Sequence, residues 1–156
     1  MKEASTSPYY LPAGLPVPVA EPDGLSAPYW QALRENRLFV QRCARCGTWQ
    51  FGPEWICHGC HAFNPAWTEV ASRGRIYSWE RIWHPSHDVL TGYGPYLAVL
   101  VELPDAGHVR MVGNLLGDPL QTVTIGSEVE GVFEHHADAD PPYTLMQWRL
   151  CGSGLP

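Results

Sequence analysis

The chain has 156 residues, and 10 Lys and Arg against 16 Asp and Glu give it a formal net charge of -6. This length allows one ordinary domain, or a small metal-stabilised module followed by one compact barrel, and excludes two large domains. The acidic balance disfavours nucleic acid as a partner, because proteins that bind polyanions normally gather basic residues on one face.

The start of the chain is rich in proline. Residues 1–24 include five prolines, at positions 8, 12, 16, 18 and 22. They cannot form a helix and are expected to run as an extended arm. No apolar run approaches the roughly 20 residues that a membrane-spanning helix needs, and the first residues do not match a secretory signal peptide. We therefore expect a cytoplasmic protein that makes no membrane contact.

Helical signals follow the arm. Ser26 is a suitable N-cap residue. Tyr29, Trp30 and Leu33 then recur at helical spacing. This pattern predicts a short helix that ends near Asn36, with an apolar face that packs on the segments that follow.

Two Cys-x-x-Cys motifs, Cys43 with Cys46 and Cys57 with Cys60, give the most specific pattern in the chain. Each motif can present two thiolates to one metal, and four thiolates at tetrahedral corners are what zinc prefers. A redox Cys-x-x-Cys occurs singly and opens a helix, which argues against that alternative. Four thiolates also leave no coordination position for a catalytic water. We predict a helix plus a structural zinc ribbon over residues 25–68, with iron in a rubredoxin-like site as the open alternative.

The rest of the chain is predicted to form a small β-barrel over residues 69–150, followed by a tail at residues 151–156. Strand-like runs occur at residues 75–83, 95–103, 109–116, 128–134 and 143–150, with turn signals between them. So many short strands without an intervening helical pattern indicate a closed or nearly closed barrel. A five-stranded OB-fold is the first expectation and an SH3-like barrel the alternative. The predicted fold class is therefore mainly β.

This order of parts resembles the acyl-CoA-associated family of zinc-ribbon and OB-fold proteins that was first catalogued as a domain of unknown function. The resemblance spans residues 24–150, and it is carried by CARCGTWQFGPEWICHGC in the ribbon and by PYLAVLVEL and TIGSEVEGVFE in the barrel. Family members accompany thiolase-fold enzymes. Some bridge a thiolase and a hydroxymethylglutaryl-CoA synthase, some belong to acetyltransferase complexes, and one serves a thiolase-like aldolase that cuts a steroid side-chain acyl-CoA. The resemblance implies that the four cysteines are the metal ligands.

The resemblance implies an accessory subunit that associates with acyl-CoA and supports a thiolase-like enzyme, with aldol cleavage of a steroid side-chain acyl-CoA as the specific expectation. An accessory role in an acyltransferase or hydroxymethylglutaryl-CoA-forming complex is one alternative. A zinc-ribbon OB-fold protein that binds single-stranded nucleic acid is another. The chain has no Gly-x-Ser-x-Gly, phosphate-binding loop or paired acidic motif, so we predict no catalytic residue of its own.

Three further groups of side chains carry expectations. His84, His87 and Tyr93 lie on one loop and are candidate contacts to the partner or to a pantetheine chain, since loops beside a barrel mouth often bind ligands. A solvated loop is the alternative. The aromatic residues of the first barrel strand are expected to fill the barrel and its junction with the ribbon, in preference to stacking on bases: Tyr77, Trp79 and Trp83. His135 and His136, beside Asp138 and Asp140, are assigned to an exposed loop, with a weak adventitious metal site as the alternative.

Overall fold

The computed structural model describes residues 9–152, so Pro8 with the rest of residues 1–8, and residues 153–156 of the predicted tail, lie outside the described residues. The described chain forms one α-helix, α1 (Ala27–Arg34), and eight strands. The strands are β1 (Leu38–Arg42), β2 (Trp49–Gln50), β3 (Ala66–Val70), β4 (Arg73–Ile82), β5 (Tyr96–Leu103), β6 (Val109–Asn114), β7 (Glu128–His136) and β8 (Tyr143–Leu150). None of the helices between residues 9 and 152 has the length and apolar character needed to cross a bilayer.

The helix α1 lies close to its predicted position and packs against β1, β7 and β8. Ser26 occupies the N-cap position, although its hydroxyl makes no capping hydrogen bond. Leu33 is buried and Tyr29 and Trp30 pack against the core, as the apolar spacing predicts. Ala32 is buried as well. Asn36 then adopts a left-handed conformation with φ 58°, which asparagine tolerates better than most residues, and the chain reverses into β1.

The ribbon is built on a three-stranded antiparallel sheet in the order β2–β1–β3. Strand β1 ends at Arg42, immediately before the first cysteine, and β2 returns from the first motif. Strand β3 was not predicted, because its sequence AWTEV follows a proline and has no clean alternation of apolar and polar residues. It pairs with β1 along its whole length and so supports the cysteine-bearing end of that strand.

The second sheet is the predicted barrel, with five antiparallel strands in the order β6–β5–β4–β7–β8. A parallel bridge between Leu115, just after β6, and Trp148 on β8 brings the two outer strands together. The barrel is therefore nearly closed, as expected of an OB-fold. Its core includes Ile76, Val101 and the fully buried indole ring of Trp148. The predicted fold class is confirmed.

A β-bulge in β4 explains why the prediction for the aromatic residues was partly wrong. The pairing with β5 shifts between Ile76 and Ser78, so Tyr77 is an extra residue and the inward-facing positions change. Trp79 consequently packs against the core, whereas Tyr77 at the bulge is 45% exposed. Trp83 lies just beyond the end of β4 and is 55% exposed. The guanidinium carbon of Arg110 lies 3.5 Å from the centre of the Tyr77 ring, so that ring forms a surface cation–π contact.

The two adjacent histidines lie on β7 and not on a loop, which corrects the assignment made from sequence. Because neighbouring residues on a strand face opposite sides, their side chains point apart. His135 contacts Thr144 and Asn36, with nitrogen–oxygen distances of 2.9 Å each. His136 lies 2.8 Å from a carboxylate oxygen of Glu134. The histidines therefore do not form a joint site.

Candidate metal centre and loop contacts

The four cysteine thiols converge at the tip of the ribbon. All four sulfur atoms lie within 4.8 Å of one another. The Sγ atoms of Cys43 and Cys60 are 3.6 Å apart, and so are those of Cys46 and Cys57. Tetrahedral zinc with Zn–S bonds of about 2.3 Å requires sulfur–sulfur distances of about 3.8 Å. The residues therefore fit one tetrahedral metal ion, as the sequence spacing predicts.

The two cysteine motifs have the same backbone turn. In the first, the N–H of Gly47 donates to the carbonyl of Cys43 at 2.8 Å; in the second, the N–H of His61 donates to the carbonyl of Cys57 at 2.9 Å. Gly47 and His61 occupy equivalent places and both have positive φ, 76° and 57°. Such turns aim backbone N–H groups at sulfur, as Gly59 does toward Cys57 Sγ at 3.3 Å.

The thiols strongly influence each other's ionisation. A hydrogen bond between Cys46 Sγ and Thr48 Oγ1, 3.1 Å apart, and a second with the Thr48 backbone lower the pKa of Cys46 to about 6. The backbone N–H of Ala62 lowers the pKa of Cys60, but the neighbouring Cys46 thiol and burial outweigh it and raise that pKa to about 11. Four thiolates this close cannot all ionise without a cation, so a divalent metal is the natural counter-charge.

Two buried glutamines, which sequence reasoning missed, hold the second cysteine motif in place. Gln41 and Gln50 are direct partners across β1 and β2, and the Gln50 amide donates to Gln41 Oε1 at 3.0 Å. Gln41 Oε1 also accepts the N–H of Glu54 at 2.9 Å, and Gln50 Oε1 accepts the N–H of His58 at 3.2 Å. The sequence feature that could have revealed them is their position, since both are polar residues on the two strands that flank the first cysteine motif.

The predicted contact loop is exposed, and its three candidate residues do different things. His84 is exposed. His87 accepts the N–H of Val89 at its Nδ1, 3.2 Å away, and so begins a 3₁₀ turn at Asp88–Leu90. Tyr93 donates its hydroxyl proton to the carbonyl of Tyr10 on the arm. Within residues 9–152 no hydrogen bond joins the three side chains to one another.

The fold and the thiol geometry define the class of protein as a rubredoxin-like zinc ribbon followed by an OB-fold barrel. Two family models match along the chain. Residues 30–66 match the ChsH2 rubredoxin-like zinc ribbon domain, and residues 67–134 match the ChsH2 C-terminal OB-fold domain. The chain belongs to the ChsH2 family.

Similar proteins agree with this placement. A solved chain described as the Ltp2-ChsH2(DUF35) aldolase is 32% identical, with a TM-score of 0.70, and the match covers 86% of this chain and 98% of that chain. A DUF35-family protein of unknown function from Sulfolobus solfataricus has a TM-score of 0.55 at 14% identity, over 81% of this chain and 84% of its own, and supports the fold alone.

A curated protein from Thermomonospora curvata, named "Probable enoyl-CoA hydratase alpha subunit", is 35% identical over 121 residues. The match covers 78% of this chain but 36% of that protein, so the chain spans about a third of its relative's length.

Proposed function

We propose that this chain is an accessory subunit that binds a thiolase-like enzyme and supports aldol cleavage of an acyl-CoA, with a steroid side-chain acyl-CoA as the substrate. The observation that carries the proposal is the 32% identity to the Ltp2-ChsH2(DUF35) aldolase chain, which the match covers almost completely. The described chain supplies a metal-stabilised scaffold, and the reacting groups belong to the partner.

The four cysteines are proposed to hold one structural zinc ion: Cys43, Cys46, Cys57 and Cys60. A closed shell of thiolates stabilises the ribbon and activates no water. The predicted cytoplasmic location belongs to the same proposal, because reduced cysteines persist in that compartment.

Exposed apolar side chains on both halves of the chain support a role in a complex. On the ribbon, Trp55, Ile56 and Phe63 are 47%, 41% and 73% exposed. On the barrel, Val112 and Ile125 are 73% and 65% exposed. Large apolar side chains in such numbers are typical of surfaces that a partner covers.

An accessory role beside an enoyl-CoA hydratase is the second candidate. It is favoured by the match to the hydratase alpha subunit of Thermomonospora curvata, whose remaining two thirds this chain does not cover. Both candidates share acyl-CoA as the substrate class and differ in the partner enzyme.

The test is co-expression of the tagged chain with a thiolase-like enzyme and, in parallel, with a hydratase subunit, followed by size-exclusion chromatography at low and high salt. We expect one zinc-containing complex with the thiolase-like enzyme that persists at high salt, because apolar contacts are not screened by ions. Elution of the two proteins as separate peaks at both salt concentrations would contradict the proposal.

Two single cysteine variants test the assignment of the metal ligands, one as the test and the other as its matched control. Cys57→Ser removes a buried thiol of the metal group and is expected to abolish zinc content and to destabilise the ribbon. Cys151→Ser changes the exposed fifth cysteine, outside that group, and is expected to leave zinc content and complex formation unchanged. Equal zinc content in the two variants would contradict the assignment of the ligands.

A further inference from the structure

A cavity lies between the arm and the barrel, on the side of β7 and β8 that faces away from the barrel core. Its volume is about 260 Å³. One wall is the arm, with Tyr9 and residues 11–18, and the other is formed by alternate residues of the two strands: Glu134, His136, Tyr143, Leu145 and Gln147. The lining is mostly aliphatic and proline carbon, with a small set of polar groups, which is the usual composition of small-molecule sites.

Glu134 and His136 form the fixed polar end of this cavity. Both side chains are more than four-fifths buried, and His136 Nε2 lies 2.8 Å from Glu134 Oε1. The other carboxylate oxygen of Glu134 accepts the N–H of Tyr10 at 3.0 Å, so this carboxylate also holds the arm. The imidazole ring is stacked between the rings of Tyr9 and Tyr143, with centroid distances of 3.9 Å and 4.4 Å.

The charge of the lining excludes one class of ligand. Glu134 carries the negative charge, and the lining residues include neither Lys nor Arg. A carboxylate or phosphate placed among them would meet a like charge in a poorly hydrated environment, which is unfavourable. A neutral ligand is therefore favoured.

Gln147 provides an unused hydrogen-bond donor. Its side chain is 2% exposed, and its Oε1 accepts the N–H of Asn114 at 2.9 Å. Because a backbone N–H can only donate, this contact fixes which end of the amide is oxygen. The Nε2 group then makes no hydrogen bond to any residue in the described range. Gln147 lines the cavity, so this amide group is available to donate a hydrogen bond to a ligand carbonyl.

We propose that this cavity binds a neutral aliphatic chain that carries a carbonyl group, such as an amide or a thioester, with the carbonyl oxygen accepting a hydrogen bond from Gln147 Nε2. The aliphatic part lies against Leu145 and the apolar residues of the arm. This site is separate from the metal centre and goes beyond the proposed function, because it requires only this chain.

The experiment is a titration of the full ¹⁵N-labelled chain with N-methyloctanamide, followed through the side-chain NH₂ signals of Gln147 in ¹H–¹⁵N NMR spectra. We expect a saturable downfield shift of these protons, and binding about fivefold or more tighter than that of octanoate, which has an anionic head group. Absence of a saturable shift at the cavity residues, or equal binding of octanoate, would overturn the proposal.

Three variants separate ligand contact from loss of folding. Gln147→Leu removes the donor and is expected to weaken amide binding about fivefold. Because it also removes the acceptor of the Asn114 N–H, a second variant, Leu145→Trp, fills the cavity from a half-buried position and leaves Gln147 in place. Val112→Trp, at an exposed position outside the lining, is the size-matched control. Undiminished binding by folded Leu145→Trp, or loss of binding by Val112→Trp, would count against the site.

Discussion

Tyr29, on α1, is a residue whose burial has a direct pH consequence. Its ring packs edge-on against Trp30 and Phe51, with centroid distances of 5.3 Å and 5.6 Å. Burial raises the pKa of Tyr29 to about 12, because it disfavours the phenolate. Below pH 10 the hydroxyl is neutral in both the folded and unfolded states, so this contribution to stability is fully present there. It is lost as pH rises from 10 to 12, where the unfolded state ionises first.

Tyr29→Phe is therefore expected to remove one component of the alkaline loss of stability. A pKa shift of two units corresponds to at most about 3 kcal/mol. Between pH 10 and 12 the free energy of unfolding should therefore fall less for the variant than for the wild type, by a difference of up to this amount. Urea unfolding across this range measures the difference, and Tyr77→Phe, at an exposed tyrosine, is the control. Parallel curves for wild type and Tyr29→Phe would show that burial of Tyr29 has no such effect.

At the scale of single residues, the sequence predicted what spacing alone determines and missed what depends on neighbouring strands. The cysteine pairs could be predicted because the geometry of a metal site is encoded locally. Gln41 and Gln50 could not, because a polar residue on a strand resembles an exposed one until its partner strand is known. Their buried contacts arise only from the register of β1 with β2.

At the scale of elements, the close approach of β4 and β5 depends on Gly74. A methyl group at Gly74 would lie 2.5 Å from the carbonyl oxygen of Glu102 and 2.5 Å from a methyl carbon of Val101. The first of these is backbone of the adjacent strand and cannot move without loss of pairing. Strand β4 is also paired with β7 at this point, since Gly74 lies opposite Val129.

We expect Gly74→Ala to lower the free energy of unfolding by about 1–3 kcal/mol, the usual cost of overpacking a core. Urea denaturation with zinc present measures this effect. The matched control is Gly52→Ala, because nothing lies within 4 Å of its added methyl group and its φ is not left-handed. A change of similar size in both variants would contradict the role given to the β4–β5 approach.

The loop between β4 and β5 carries the predicted contacts to the partner or its acyl-CoA. His84→Ala combined with His87→Ala should leave both sheets intact, since both side chains are exposed, although it removes the acceptor of the Val89 N–H in the loop. We propose that this double variant weakens acyl-CoA affinity or turnover of the complex about fivefold, the loss expected for one or two contacts. Ser86→Ala, on the same exposed loop, is the control. Unchanged affinity and turnover would remove this loop from the functional surface.

The strand elements also show where sequence periodicity fails. The two-residue periodicity of apolar side chains predicted β4 correctly. It cannot reveal the extra residue at Tyr77, after which the inward-facing positions change. The same limit applies to β3, which is defined by its pairing with β1. Bulges and short pairing strands are properties of two strands together, so one sequence segment does not reveal them.

At the scale of the whole molecule, the ribbon and barrel are held together by contacts between separate elements. A methyl group at Gly107, on the turn between β5 and β6, would lie 2.5 Å from the Trp49 ring of the ribbon. The helix α1 contacts β1 of the ribbon sheet and β8 of the barrel. The described arm adds hydrogen bonds from Tyr10 to Glu134 and from Leu97 to Tyr10. The order of parts and the packing of α1 on the segments that follow were predicted from sequence, whereas the contacts of Gly107 and of the arm were not.

The most direct test of the proposed accessory role is the rate of aldol cleavage of a steroid side-chain acyl-CoA by a thiolase-like partner. The rate is measured for the partner alone and with the full chain, the Cys57→Ser variant or the Cys151→Ser variant. We predict that cleavage requires the zinc-containing chain, that Cys57→Ser does not restore it, and that Cys151→Ser restores it fully. Equal cleavage by the partner alone, or full restoration by zinc-free Cys57→Ser, would contradict the accessory role.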